Sequence, residues 1–438
     1  MATIIPFTGL RYNQDKVPFL SSVVTPPYDI IDEKAQARYY AENPFNLIRL
    51  ELGLIFQDDS ENNNRYSRAR KYLDKWIEDD ILLSDNKPSL YFYQQEFDGP
   101  HGKLVRNGFI CGLKVEDYAR GNVLPHEETL SKPKADRLQL MKATRCNFSS
   151  VFGLYDDPEK VVDTSLLSAI SEREPDAEMV DEADEIHRLW VIDNEKILNT
   201  VISCMSDKKV FIADGHHRYE TALEYSRFMQ ESGYKGYDYV MITLVNLYDQ
   251  GLVILPTHRV VGNLQGFNLN SFKDSLQDLF EIEACQSDDL FAFTSELAKR
   301  GRKKHVFGMY TSEKQLYILT LRNMTQAKKH LPRDKSDAWK KLDVALLDNL
   351  VLDRCLGIGE KERKNQDNLS YTRDENWVIN SVAEGNYQLG FILNPTRVKE
   401  VVAVAQARDK MPQKSTYFYP KLITGMVVNP IYLNSEQE

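Results

Sequence analysis

Apolar positions along this chain recur sometimes every second residue and sometimes every third or fourth, and the switching marks out a mixture of strands and helices. Tyr66, Ala69, Leu73, Trp76 and Ile77 follow a polar loop at 58–64 and share one helical face. Near-alternation predicts a strand over 46–52, and 90–93 opens a β-rich stretch in which Asn107-Gly108 lies between two strand-like runs. A basic run over 132–145 reads as helical. Strands are expected at 150–155 and 189–192, on either side of an acidic stretch at 171–185. The clearest local order comes next. The run Lys209-Val-Phe-Ile-Ala213, apolar after its lysine, ends at Asp214-Gly215, after which Tyr219, Ala222, Leu223, Ser226 and Met229 share a helical face that stops near Gly233, a suitable C-cap.

Beyond this, strands are expected at 239–247, 252–255 and 387–393, and a hairpin from 305–310 and 316–321. One helix carries Leu269, Phe272, Leu276, Leu279 and Phe280; another carries Trp339, Leu342, Leu346, Leu347, Leu350 and Val351; a short one covers 398–407. Such mixing points to an α/β or α+β protein.

At 438 residues, the chain is long enough for about three units at roughly 150 residues each. The expected division is 1–95, 96–262 and 263–438. Lys plus Arg number 55 against 65 Asp plus Glu, so the net charge of −10 argues against a nonspecific nucleic-acid binder, which needs a basic surface. An apolar share of 42 % is enough to build cores and excludes global disorder. No apolar run approaches the roughly 18 residues of a membrane helix. The first residues lack the basic and apolar regions of a signal peptide. The five cysteines are scattered and form no Cys-x-x-Cys pair, as expected for a cytoplasmic protein without disulfides or a zinc knuckle. His126-Glu127 opens like a zinc-protease motif, but Leu130 stands where the second histidine would be.

Asp214-Gly215-His216-His217-Arg218 is the main chemical candidate. Taken singly, these residues read as an N-cap, a turn glycine and surface groups. Together, directly after an apolar strand, they make an anion cradle. The helix start offers backbone N–H groups and the positive dipole end, Gly215 lets a phosphate approach, and Arg218 supplies a planar fork. Two histidines and an arginine in a first helical turn oppose the dipole unless an anion sits there. Pro125-His126-Glu127-Glu128 supplies a carboxylate for taking a proton from an attacking hydroxyl, with a solvated acidic loop as the plain alternative. Lys132, Lys134, Arg137, Lys142 and Arg145 add positive potential or simply form a solvated helix face. Lys414-Ser415-Thr416 lacks the glycine-rich loop of a Walker motif but remains a candidate for ligand contact. Pro256-Thr257-His258-Arg259 is a further candidate. Gly357-Ile358-Gly359 reads as a helix end.

Leu124 to Glu128 and Ala213 to Tyr219, with Tyr28-Asp29, 46–52, Leu255 to Arg259 and Pro412 to Pro420, resemble domain-of-unknown-function family 1015 along nearly the whole chain. Within it, the Pro-His-Glu and Asp-Gly-His-His-Arg segments are similar to the ParB and sulfiredoxin-like superfamily, which sets a glycine turn and its helix against nucleotide phosphates. That resemblance implies a ParB/sulfiredoxin-like core with additional N- and C-terminal α/β segments, in a mixed α+β chain. Sulfiredoxin has a reactive cysteine where this chain has His216, and ParB clamps carry an Arg-rich box and a helix-turn-helix, neither of which is found here. Free-serine kinases match best. The resemblance then implies a kinase making O-phosphoserine from L-serine with ATP or ADP and Mg²⁺. Glu127 acts as general base, with Asp214 and His217 also catalytic. Gly215, His216, His217 and Arg218 hold phosphate, and Asp214 positions magnesium or the serine amine. His126, Lys414, Ser415 and Thr416 bind substrate. No nucleic-acid or membrane partner is implied. The alternative is a regulatory protein that binds CTP or ATP without transferring phosphate.

Overall fold

The computed structural model describes residues 1–100, 102–129, 131–286 and 289–431. The chain is mixed α/β and divides into two compact units. One joins residues 1–253 to the segment from Pro420 onward, and the other is Ile254–Tyr419. Among the described residues no helix is long and apolar enough to cross a membrane.

The first unit is organised by a nine-stranded mixed sheet. Its path runs Val123–Leu124, Val210–Asp214, Val151–Tyr155, Tyr239–Asn246, Gly102–Lys114, Leu90–Gly99, Ile186–Ile192, Ala177–Val180, with Ile4–Ile5 pairing against Gly102–Lys114. The central strands are apolar runs because both faces are covered: every residue of Val151–Tyr155 is buried. One face packs on Val161–Ile170, Glu195–Met205 and His216–Glu231, through Leu166, Val201, Met205, Tyr219 and Ala222. The last residues return to this unit. Thr25 bridges Thr424, Leu10 bridges Val428, and Asn429–Pro430 pairs with Cys146–Asn147.

In the second unit a six-stranded sheet is antiparallel throughout, in the order Phe280–Ala284, Leu316–Leu321, Val306–Thr311, Leu389–Ile392, His258–Val261, Leu369–Thr372. Alternation along Val306–Thr311 serves two cores. Phe307 and Met309 join Leu276, Leu346 and Leu350, while Val306 and Tyr310 join Phe293, Leu297 and Val378 on the opposite face.

Four sequence expectations need correction. Residues 46–52 hold a helical turn, Ile48–Glu51, instead of a strand. The Asn46 carboxamide accepts from the Ile48 N–H at 2.9 Å, and Leu47, Ile48, Leu50 and Glu51 are all buried, a helical rather than alternating pattern. Asn107-Gly108 lies inside Gly102–Lys114, and the reversal falls where Gly99 pairs with Gly102. The helix with Leu269 ends at Leu276, and Phe280 begins a strand. The helix from Trp339 to Val351 is interrupted at Lys341-Leu342, then resumes as Asp343–Leu346 and widens into the π-helical turns of Leu347–Asp353.

Leu154 is fully buried at the middle of the first sheet, between Val210–Asp214 and Tyr239–Asn246. Leu154→Ala is expected to lower unfolding free energy by about 2–5 kcal/mol in urea denaturation. A loss under about 1 kcal/mol would contradict this placement.

Candidate functional site

Strand order brings the two main motifs together. Val123–Leu124 runs parallel to Val210–Asp214 with Leu124 opposite Phe211, so both chains leave the sheet at the same end. Their C-terminal extensions, Pro125-His126-Glu127 and Asp214-Gly215-His216, therefore lie side by side. The carboxyl ends of parallel strands in open α/β sheets are common places for ligand sites. The register of Val210–Asp214 against Val151–Tyr155 slips between Ile212 and Asp214, an irregularity that re-aims the last residue.

His126 is completely buried, and its Nδ1–H donates to the Ile212 carbonyl at 2.7 Å. Its backbone N–H donates to His216 Nε2 at 3.3 Å. The two imidazoles meet edge to face with centroids 4.7 Å apart. Because His216 Nε2 accepts, its proton resides on Nδ1, which faces Glu127 Oε2 at 3.8 Å. Glu127 keeps about a third of its side chain exposed (34 %), whereas the His216 side chain is 3 % exposed. A reachable carboxylate is thus positioned by a buried imidazole.

Gly215 takes φ +84° and is the cap of His216–Glu231, so no side chain at the cap position hydrogen-bonds the helix start, although the Arg218 guanidinium packs beside Gly215. Asp214 receives the Gly215 N–H on Oδ1 at 2.9 Å and the Lys421 ammonium on Oδ2 at 3.0 Å. Arg218 lies 3.8 Å from the same carboxylate and donates to the Ser150 carbonyl at 2.5 Å. Burial pushes the Asp214 pKa up, but Lys421 and Arg218 outweigh it and hold the carboxyl well below its usual range. Burial favours the neutral forms of both His126, whose pKa falls to about 4, and His217, which is lowered as well. Each Asp214 oxygen thus accepts one hydrogen bond, which leaves a further lone pair on each.

A second layer of charge lies beyond Arg218. A cavity of about 30 Å³, room for one water, is lined by Glu51, Arg137, Ser149, Arg218 and Thr221 among others. The Arg137 guanidinium donates to the Glu51 carbonyl at 2.7 Å and stacks 4.1 Å from the Tyr28 ring centroid. Glu51 accepts from Ser149 Oγ at 2.8 Å. Burial raises the Tyr28 phenol to about 12, so it stays a neutral donor.

The sequence profile of the family described as "Protein of unknown function (DUF1015)" matches residues 4–345. The chain belongs to this family. No curated protein matches it. Solved structures similar to this family member include a free serine kinase in complex with AMP, at 11 % identity over 70 % of this chain and 89 % of that one, with a TM-score of 0.34. A conserved hypothetical protein from Pyrococcus furiosus shares 11 % identity over 72 % and 94 %, with a TM-score of 0.33. SbnI with a C-terminal truncation, from Staphylococcus aureus, shares 11 % over 75 % and 90 %, at 0.35. Scores this low assign neither a fold nor an activity.

Of the residues singled out in the sequence, His126, Glu127, Asp214, Gly215, His216, His217 and Arg218 come together in the first unit. Lys414, Ser415 and Thr416 belong to the second unit, where Ser415 bonds the Pro412 carbonyl and its own carbonyl accepts from Thr396 at 2.8 Å. The site described here is built from the first unit alone. Sequence reasoning assigned no role to Lys421 or Glu51. The run containing Arg137 reads in sequence either as positive potential around an acidic ligand or as a solvated helix face; Arg137 is buried. Nothing local in the sequence marks Lys421 or pairs Arg137 with Tyr28.

Two outcomes follow for this family member. A Cβ at Gly215 would lie 2.9 Å from Arg218 Nε, at a φ that side chains resist. Gly215→Ala is expected to destabilise the protein by at least about 1 kcal/mol in urea unfolding. Neutral His126 contributes stability that is fully present above its ordinary pKa of 6.5 and is lost as pH falls toward about 4. Unfolding free energy is expected to drop by about 2 kcal/mol from pH 7 to pH 5 through this residue. His126→Gln should remove that part of the slope; an unchanged slope would contradict the assignment.

Proposed function

We propose that this protein is a phosphotransferase that phosphorylates free L-serine with ATP or ADP, built on a ParB/sulfiredoxin-like core. One observation carries the reading: the partly exposed Glu127 carboxylate stands 3.8 Å from His216, in the first turn of a sixteen-residue helix whose cap residue is a glycine. The helix start draws polyphosphate through its dipole and N–H groups. Glu127 takes the proton of the serine hydroxyl as its oxygen attacks the terminal phosphorus, the bridging P–O bond breaks to release ADP or AMP, and His216 fixes the orientation of the carboxylate. Arg218, only 8 % exposed, and Lys421 supply positive charge beneath the phosphates while compensating Asp214. His217, half-buried beside them, is the remaining donor on the phosphate side. Magnesium enters this scheme only with the nucleotide. Phosphoryl transfer rests on alignment and charge neutralisation, which these groups supply.

The alternative is a regulator that binds ATP or CTP without transfer, and the burial of His216 and Arg218 is the observation in its favour. Incubation of the purified protein with serine, magnesium and either ATP or ADP is expected to yield phosphoserine, read by ³¹P NMR. Glu127→Gln should lower kcat by about a hundredfold or more with nucleotide affinity retained. Nucleotide binding with no phosphoserine from the unsubstituted protein would select the regulator; full turnover in Glu127→Gln would remove the base.

A further inference from the structure

Three ligating side chains meet on the other edge of the first sheet, at the hairpin joining Ala177–Val180 to Ile186–Ile192. Asp181 Oδ1 accepts the backbone N–H groups of Ala183 and Glu185 at 2.9 and 3.0 Å, which leaves Oδ2 directed toward His187. His187 is fully buried, and its ring stacks on Tyr93 with Nδ1 2.6 Å from the phenol oxygen. Its Nε2 lies 3.3 Å from Asp181 Oδ2, yet no hydrogen bond of acceptable geometry reaches this buried nitrogen. Glu185 is 5 % exposed, and the ligating atoms of Asp181, Glu185 and His187 all lie within 4.8 Å of one another.

The buried Nε2 has the Asp181 carboxylate 3.3 Å away but no aligned hydrogen bond, and a cation held among the three ligating atoms satisfies it. We propose that Asp181, Glu185 and His187 form a binding site for a divalent first-row transition cation, with Zn²⁺ preferred over Mn²⁺. The donor set decides the class. One imidazole nitrogen with two carboxylate oxygens suits zinc, whereas magnesium and calcium favour oxygen alone. Zinc–ligand bonds of about 2.0–2.1 Å in a tetrahedron separate neighbouring ligand atoms by about 3.3 Å. Asp181 and His187 already stand at that separation. Glu185 closes the third corner by a small side-chain movement, and water takes the fourth. Tyr93 binds the non-ligating nitrogen, as outer partners of metal-bound histidines do.

The test uses the full-length protein, treated with chelator, dialysed and titrated with zinc chloride by calorimetry in the absence of nucleotide. Cobalt chloride serves in parallel as the spectroscopic probe. One equivalent of Zn²⁺ is expected to bind, to raise Tm, and to be displaced only weakly by Mn²⁺. The near-isosteric Asp181→Asn and Glu185→Gln should each weaken zinc binding at least about tenfold while keeping the unsubstituted circular dichroism spectrum. The cobalt form should show a ligand-field band that these variants lose. Absence of zinc binding, or binding of equal affinity in both folded variants, would overturn the site. Neither result bears on phosphoserine formation.

Discussion

A carboxylate at the end of a buried strand needs a counter-charge, and Asp214 finds its closest one in Lys421, 207 residues further along the chain. Much of the candidate site depends on this pair. With Asp214 held ionised, Gly215 is fixed through its N–H, the helix starts in the left-handed turn that Gly215 adopts, and Arg218 is drawn inward to the same carboxylate. Removing Lys421 leaves Arg218 to balance Asp214 alone while also serving the Ser150 carbonyl. Ion pairs at this depth stabilise little by themselves, but breaking one leaves an uncompensated charge, which is strongly unfavourable.

The parallel pairing of Val123–Leu124 with Val210–Asp214 is the second constraint, because it decides that His126 and His216 are neighbours. The histidines then act as structural parts as much as chemical ones. His126 spends its ring proton on a strand carbonyl and its backbone proton on His216. His216, oriented in this way, presents Nδ1 to Glu127. The order of these contacts runs from strand to loop to reactive carboxylate.

Local order was legible in the sequence where periodicity and punctuation agreed. The strand, glycine turn and helix around Gly215 occur as read, because an apolar run, a residue suited to positive φ and a helical stripe all point the same way. Residues 46–52 misled because Leu-Ile-Arg-Leu-Glu-Leu fits alternation, while the carboxamide of Asn46 starts a helical turn that period alone does not reveal. The wide turns at Leu347–Asp353 left no pattern distinct from an ordinary helix. Within the site, the meeting of 126–127 with 214–218 was a conjecture about distance, which only strand order resolves. Lys421 was invisible for the same reason: its partner is set by the return of the chain after 420, not by any neighbour in sequence. The burial of Arg137 against Tyr28 likewise depends on loops far apart in sequence.

That return has a temporal side. Ile254–Tyr419 is encoded between the two parts of the first unit, so a ribosome completes the whole second unit before it reaches Lys421. At typical rates of synthesis, roughly 10 to 40 s separate the emergence of Asp214 from that of its lysine. For that interval the nascent sheet lacks the pairing at Cys146–Asn147 and carries the Asp214 carboxylate without its nearest cation. The first unit is thus the first to emerge and the last to be completed.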